Sequence, residues 1–178
     1  MVDAEALIKK YYPKGKARNI LLSHSRDVRD LALKICDKHP ELGADKTFVA
    51  EAAMLHDIGC FMVEAPHIHC YGDKPYIAHG YLGRELLEKE GLPKHALVCE
   101  RHTGVGIRKK QIKERNLPLP LRDMRPQSIE EKIICFADLF YSKTKLGKKR
   151  SKFSIRRKMR KHGKKSVKKF RKWCDKFL

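Results

Sequence analysis

The stretch Met54-Leu55-His56-Asp57-Ile58-Gly59 decides how this chain is read, because it sets a histidine and an aspartate side by side in an otherwise apolar helical run. Desolvating a charge in such a setting is costly, and both residue types are strong metal ligands. The pair therefore implies that something positive binds there.

Working outward, Thr47 to Ile58 reads as a helix through Val49, Ala52, Ala53, Leu55 and His56, with Asp45 able to cap its start and Gly59 ending it. His56 and Asp57 then fall on its last turn. Upstream, Asp3 to Tyr12 is a short helix closed by Pro13 and Gly15. A second helix is expected from around Ser23, where Val28, Leu31 and Ile35 recur at helical spacing until His39-Pro40. His24 lies four residues before Val28 and shares its face.

Downstream, Phe61 to Lys74 reads as an irregular polar loop, and Pro75 opens a helix that carries His79 and stops at Glu90-Gly91. Another helix starts at Pro93, holds His102 and gives way at Gly104-Val105-Gly106. Residues 108–116 suggest a polar helical turn, followed by a connector with Pro118, Pro120 and Pro126 that cannot be regular helix. Ser128-Ile129-Glu130-Glu131 has the form of a capping box and launches a helix through Ile133, Ile134, Ala137 and Asp138. No segment alternates with period two for long enough to promise a sheet, so the expected fold class is all-α.

His24, His56, Asp57, His79, His102 and Asp138 thus sit on or at the ends of five helices, each among apolar neighbours. A single histidine on an apolar face is ordinarily a hydrogen-bonded core residue. Six ligand-type side chains pointing inward are too many for one small core to hold unpaired.

At 178 residues and 42% hydrophobic residues, the chain can bury a core of its own. Its formal charge of +20 is unevenly placed: residues 143–178 hold 18 Lys or Arg and one acid, so residues 1–142 are nearly neutral. The six cysteines form no CxxC pair, and the N-terminus begins acidic without an apolar signal region, which suggests a reduced, cytoplasmic protein. No apolar run approaches the roughly 18 residues of a membrane span.

The order His24, His56-Asp57, Asp138, with His-Asp-Ile-Gly in the middle, resembles the HD-domain metal-dependent phosphohydrolase superfamily over about residues 20–142. The similarity is to an uncharacterised HDIG subfamily through Glu100-Arg101-His102-Thr103-Gly104, Gly106-Ile107, the Leu-Pro-rich connector, Glu130-Glu131-Lys132-Ile133 and Ala137-Asp138. The resemblance implies an all-α fold with a metal site at its centre, ligated by His24, His56, Asp57 and Asp138. Members with two further histidines, matching His79 and His102 here, bind two metals bridged by the pair's aspartate. Symmetrical diadenosine tetraphosphatases are similar in having a His-Thr segment at the fourth histidine. One departure stands out: many members follow His-Asp-Ile-Gly with a lysine that serves substrate phosphate, and this chain has Cys60.

Two divalent cations about 3.5–4 Å apart can bridge a hydroxide, lower its pKa and clamp phosphoryl oxygens. The expected function is accordingly hydrolysis of a phosphoester or phosphoanhydride by a metal-bound hydroxide, with His56 and Asp57 at the catalytic centre and a phosphorylated small molecule, such as a nucleotide, as substrate. Imidazole and carboxylate donors favour borderline ions such as iron, manganese, zinc or nickel over calcium without choosing among them, and the expected cofactor is a pair of iron or manganese ions, with zinc or nickel also compatible. Lys74 and Arg108, on adjoining loops, lead the candidates for substrate binding, followed by Arg101, Thr103 and Ser25. His67, His69 and Cys70 form a second possible cluster, read either as part of a zinc site or as a polar lid.

The chain divides into residues 1–142, the metal-binding domain, and residues 143–178, a basic extension of two amphipathic helices. Phe153 to Lys161 forms the first; Val167, Phe170, Trp173, Cys174 and Phe177 line one side of the second. Its outward bases make RNA or another polyanion a possible partner. Two other functions fit the same residues: a diiron oxygenase, which the resemblance includes, and an RNA-binding protein with a structural metal site.

Overall fold

The computed structural model describes residues 2–178 as a bundle of nine α-helices among the described residues, in keeping with the all-α expectation. Helices α1 (Ala4–Tyr11) and α2 (Lys16–Lys38) come first, then α3 (Lys46–Leu55). Asp45 caps α3 by accepting a hydrogen bond from the Phe48 amide at 3.0 Å, as its place in the sequence suggests. Helix α2 begins seven residues before the expected Ser23, because Gly15 ends the preceding turn and Leu21 and Leu22 are already buried. His24 therefore lies in the helix interior, held on both sides by regular backbone.

The segment after α3 is not plain loop. Ile58–Met62 is a 3-10 turn, and Glu64–Ala65 (β1) pairs antiparallel with Cys70–Tyr71 (β2). Helices α4 (His79–Lys89) and α5 (Pro93–Arg101) pack against each other, with α4 also resting on the Ile58–Met62 turn. Pro75 opens a short 3-10 turn, Tyr76–Ala78, so that His79 starts α4 instead of lying within it. The close approach of α4 needs glycine: a Cβ on Gly59 would lie 2.2 Å from the His79 carbonyl oxygen, and one on Gly83 would lie 2.3 Å from Cys99 Sγ.

Helix α6 (Lys109–Glu114) is the expected polar turn, and the proline-rich connector is pinned by backbone hydrogen bonds between Ile107 and Met124 at 3.1 and 2.8 Å. Ser128 caps α7 (Ile129–Asp138) through the Glu131 amide. The reciprocal half of the box differs, since the Glu131 carboxylate accepts from the Gln127 amide and from Arg101.

Residues 143–178 form α8 (Lys152–Met159) and α9 (Lys164–Phe177). Their apolar side chains Ile155, Met159, Phe170, Trp173 and Phe177 share one buried cluster with α2, α3 and α7. Phe136 of α7 is its hub: fully buried, its ring lies 5.1 to 6.3 Å from those of Phe140, Phe170, Trp173 and Phe177. Among the described residues, no helix is long and apolar enough to cross a membrane.

Two stability outcomes follow. Phe136→Ala should cost about 3–5 kcal/mol in urea unfolding, since it empties the contact that holds α9 on α7. His95 is 7% exposed and touches Glu51 at 3.1 Å, and burial lowers its pKa below the ordinary 6.5 despite that carboxylate. The unfolded chain then takes up the proton first, so stability is lost as pH falls below 6.5. In His95→Gln, denaturant titrations from pH 7 to pH 5 should show a flatter decline.

Candidate metal centre

Each of the six histidine and aspartate candidates reaches the same point in the bundle, in two groups that share Asp57. His24, His56, Asp57 and Asp138 make one group and Asp57, His79 and His102 the other, with potential ligand atoms within 4.8 Å of one another inside each. Asp57 is fully buried and divides its oxygens between them. Its Oδ2 lies 3.1 Å from His24 Nε2 and 3.0 Å from His56 Nε2, while Oδ1 lies 3.3 Å from His79 Nε2 and 3.4 Å from His102 Nε2. Asp138 Oδ1 closes the first group, 3.1 Å from His24 Nε2.

Three of the rings are aimed by their own helices. Nδ1 of His56, His79 and His102 meets the carbonyl oxygen three residues earlier, of Ala53, Tyr76 and Cys99, at 2.6, 2.7 and 2.7 Å. A carbonyl only accepts, so Nδ1 carries the proton and Nε2 of a neutral ring offers a lone pair. The result is lone pair facing lone pair, most plainly between His79 Nε2 and His102 Nε2 at 3.1 Å. Nε2 of His24 and Nε2 of His56 are buried without a hydrogen bond. Such an arrangement needs protons or metal cations between its atoms, and divalent metals fit this donor set.

Without metal, the protein compensates with its own charges. Burial alone would lower the His56 pKa, but Asp57 and Asp138 raise it to about 10. Burial would likewise raise the Asp57 and Asp138 carboxyls, yet both are held well below the usual carboxylate range, Asp57 by the charges of Lys143 and His56 and Asp138 by its contacts with His24 and His56. Metal uptake therefore displaces protons.

Lys143 is the residue that sequence reasoning missed. Its Nζ lies 2.5 Å from Asp57 Oδ2 and 3.1 Å from Tyr76 Oη, and its side chain is 11% exposed. It heads the basic run and was counted there as extension. The available signal was its position, five residues after Asp138, too near the site to leave it. Cys60 also has a place: its fully buried thiol, kept protonated by burial, points at Asp57 Oδ1 across 3.6 Å. Tyr12 fixes the backbone around it, donating to the Ile58 carbonyl and accepting from the Phe61 amide, both at 2.9 Å.

The centre opens into a cavity of about 690 Å³, whose lining includes His24, His79, His102 and Asp138. Of the five substrate-binding candidates, only Thr103 lines it. Arg101 instead forms an ion pair with Glu131 at 3.0 Å, and Ser25 is fully buried in α2. Lys74 is exposed and paired with Asp73 at 2.8 Å, and Arg108 supports the start of α6 through its backbone amide. The reason is tertiary: Arg101 and its neighbour Glu100 flank His102 as clamps, Glu100 being held by Arg84 at 2.6 Å and by Arg122 at 2.5 Å. His67 reaches the cavity wall, but His67, His69 and Cys70 form no metal-binding group among the described residues; Cys70 Sγ turns to the Ile68 carbonyl and His69 occupies a left-handed turn.

Comparison with known proteins agrees with this architecture. The chain is 32% identical to a tRNA (cytidine(56)-2'-O)-methyltransferase of Picrophilus torridus over 123 residues, covering 68% of this chain and 31% of that protein. It is 38% identical to an uncharacterised protein of Methanocaldococcus jannaschii over 118 residues, 66% of this chain and 61% of the relative. The chain thus spans less than two thirds of either. Among solved structures, the HD domain of the L. monocytogenes phosphodiesterase PgpH in complex with cyclic-di-AMP superimposes with a TM-score of 0.56 at 19% identity, covering 97% of this chain and 94% of that one. A second structure of the same PgpH HD domain gives 0.54 at 19% identity, with 97% and 95% covered. Residues 21–143, from the turn before His24 to Lys143, match the HD domain as a family, and the chain belongs to that family.

Proposed function

We propose that this protein is a metal-dependent phosphohydrolase acting on a nucleotide. The observation that carries the reading is the split of one buried carboxylate, Asp57, between two ligand groups at the inner end of a cation-lined cavity. His24, His56 and Asp138 would hold one ion with Asp57 Oδ2, and His79 and His102 the other with Oδ1. Iron or manganese ions are the proposed occupants from among the borderline metals that these donors accept. Two bound divalent cations would supply Lewis-acid charge at a phosphoryl oxygen and acidify water in the site.

The chain's own residues do the rest. The Nδ1-to-carbonyl bonds keep three imidazoles in one tautomer and orientation, so that little reorganisation accompanies the reaction. Lys143 brings to Asp57 the ammonium group that Cys60 does not, and with Tyr76 Oη it faces the cavity as a donor for phosphate oxygens. Thr103 adds a hydroxyl on the same wall, while Ile77, Ile107, Leu117 and Met159 offer apolar surface for a base or sugar. That PgpH was crystallised with cyclic-di-AMP supports a nucleotide as the kind of molecule such a fold accommodates.

The diiron oxygenase reading uses the same ligands. Arg115, Lys143, Arg150 and Lys158 around the cavity favour an anionic substrate over a neutral one. Binding of RNA or another polyanion by the outer face of α8 and α9 is a separate reading, supported by their exposed bases and loosely by the tRNA-methyltransferase relative.

The decisive experiment screens manganese- or iron-loaded protein against nucleotides, dinucleoside polyphosphates and phosphodiesters. Hydrolysis of none of them, with oxygen uptake in its place, would sink the reading. Asp57→Asn should lower kcat/KM by about 10²-fold or more and reduce the bound metal. Lys143→Ala should behave differently: KM rising about tenfold, more than kcat falls, with metal content undiminished because a cation competing for Asp57 has gone.

A further inference from the structure

Part of the cavity wall belongs to no ligand group. Arg150, Lys158 and His162 reach it from the basic C-terminal segment, and Arg115 from the end of α6. Several arginines elsewhere in the body are neutralised: Arg84 and Arg122 by Glu100, Arg101 by Glu131, and Arg125 by Asp123. Among the described residues, no carboxylate lies within 4.0 Å of Arg115, Arg150 or Lys158. The single acid on the cavity lining, Asp138, already belongs to the metal centre.

These cations feel one another. Burial and then Arg150 push the Lys158 ammonium below its ordinary range, and burial, Arg115 and Lys158 together push His162 down. Like charges on an ordinary solvated face spread apart into water. Here Arg115, Lys158 and His162, all exposed, and the half-buried Arg150 gather at the open side of one cavity, with the hydroxyls of Ser154 and Ser166 between them. Lys158 is also within the influence of Asp138 and Lys143, so the group adjoins the metal centre without being part of it. A cavity of about 690 Å³ accommodates more than one phosphate, falling in the roughly 300–1,000 Å³ range of small-molecule sites.

We infer that Arg115, Arg150, Lys158 and His162 form a second anion subsite, and that the substrate is a nucleotide bearing two separate phosphate groups: one at the metal centre beside Lys143, the other against α8. The inference rests on the phosphohydrolase reading only for what occupies the inner end. A mononucleotide would fill one subsite and leave the other's charges unpaired, so discrimination between the two should be large.

The test is equilibrium binding to manganese-loaded full-length chain, comparing AMP with 5′-phosphorylated diadenylate whose linkage is a phosphorothioate to resist cleavage. The diadenylate should bind about tenfold or more tightly than AMP. Arg150→Ala with Lys158→Ala should abolish most of that advantage while changing AMP binding by less than about threefold. Lys168→Ala with Lys172→Ala, removing equal charge from the exposed face of α9, should leave both affinities unchanged. Should the first pair compromise folding, Lys158→Gln alone, checked by its melting temperature, reads the same advantage. Equal affinity for the two ligands, or equal weakening by the inner and outer pairs of substitutions, would overturn the subsite. Turnover is not part of the readout. A chain that binds diadenylate as described but hydrolyses no phosphoester keeps the subsite and loses the hydrolase reading; one that hydrolyses AMP without discriminating does the reverse.

Discussion

A carboxylate sealed from water among four imidazoles is the constraint on which the rest of this structure depends. Asp57 has no exposure, and both its oxygens face ring nitrogens at 3.0 to 3.4 Å. Left alone, a charge in that position would be strongly disfavoured. The bundle is arranged so that it is not alone. The end of α3, the start of α4, and the ends of α5 and α7 each deliver one ligand, and α2 delivers His24 from within. Gly59 and Gly83 allow α4 and α5 to come near enough, since a side chain at either would strike backbone or sulfur.

Much of this was legible in the sequence because the physics behind it is local. Apolar periodicity located the helices, Asp45 and Ser128 announced two of the caps, and polar ligand types among apolar neighbours identified the six residues that converge. What escaped was direction. Arg101 adjoins His102 in sequence, but its guanidinium turns to Glu131, thirty positions away. Ser25 adjoins His24, but consecutive residues on a helix face different ways, and its hydroxyl is buried. The early start of α2 was hidden because Lys16, Arg18 and Asn19 dilute the apolar pattern of its first turns.

Lys143 and Cys60 illustrate a related point about where a function sits in a chain. The basic group commonly found just after the His-Asp pair is absent, and a buried thiol occupies the position. A lysine from more than eighty residues further on reaches the same carboxylate. Read one-dimensionally, it belongs to a charge run; in space it belongs to the centre. The boundary that composition draws near residue 142 therefore runs through the cavity wall, whose other parts include Arg150 and Lys158.

The unpaired bases around that cavity also carry a thermodynamic meaning. Arginines at Glu100 and Glu131 tie elements together, whereas Arg150 opposes the charge of the Lys158 ammonium near it. Like charges gathered in this way would trade robustness for binding at the inferred subsite. An anion bound at the inferred subsite would relieve the repulsion, so folded lifetime and ligand supply would become linked quantities. In a cell, such a protein would be most durable where its anionic ligand is plentiful, and its abundance would follow that supply without any dedicated regulator.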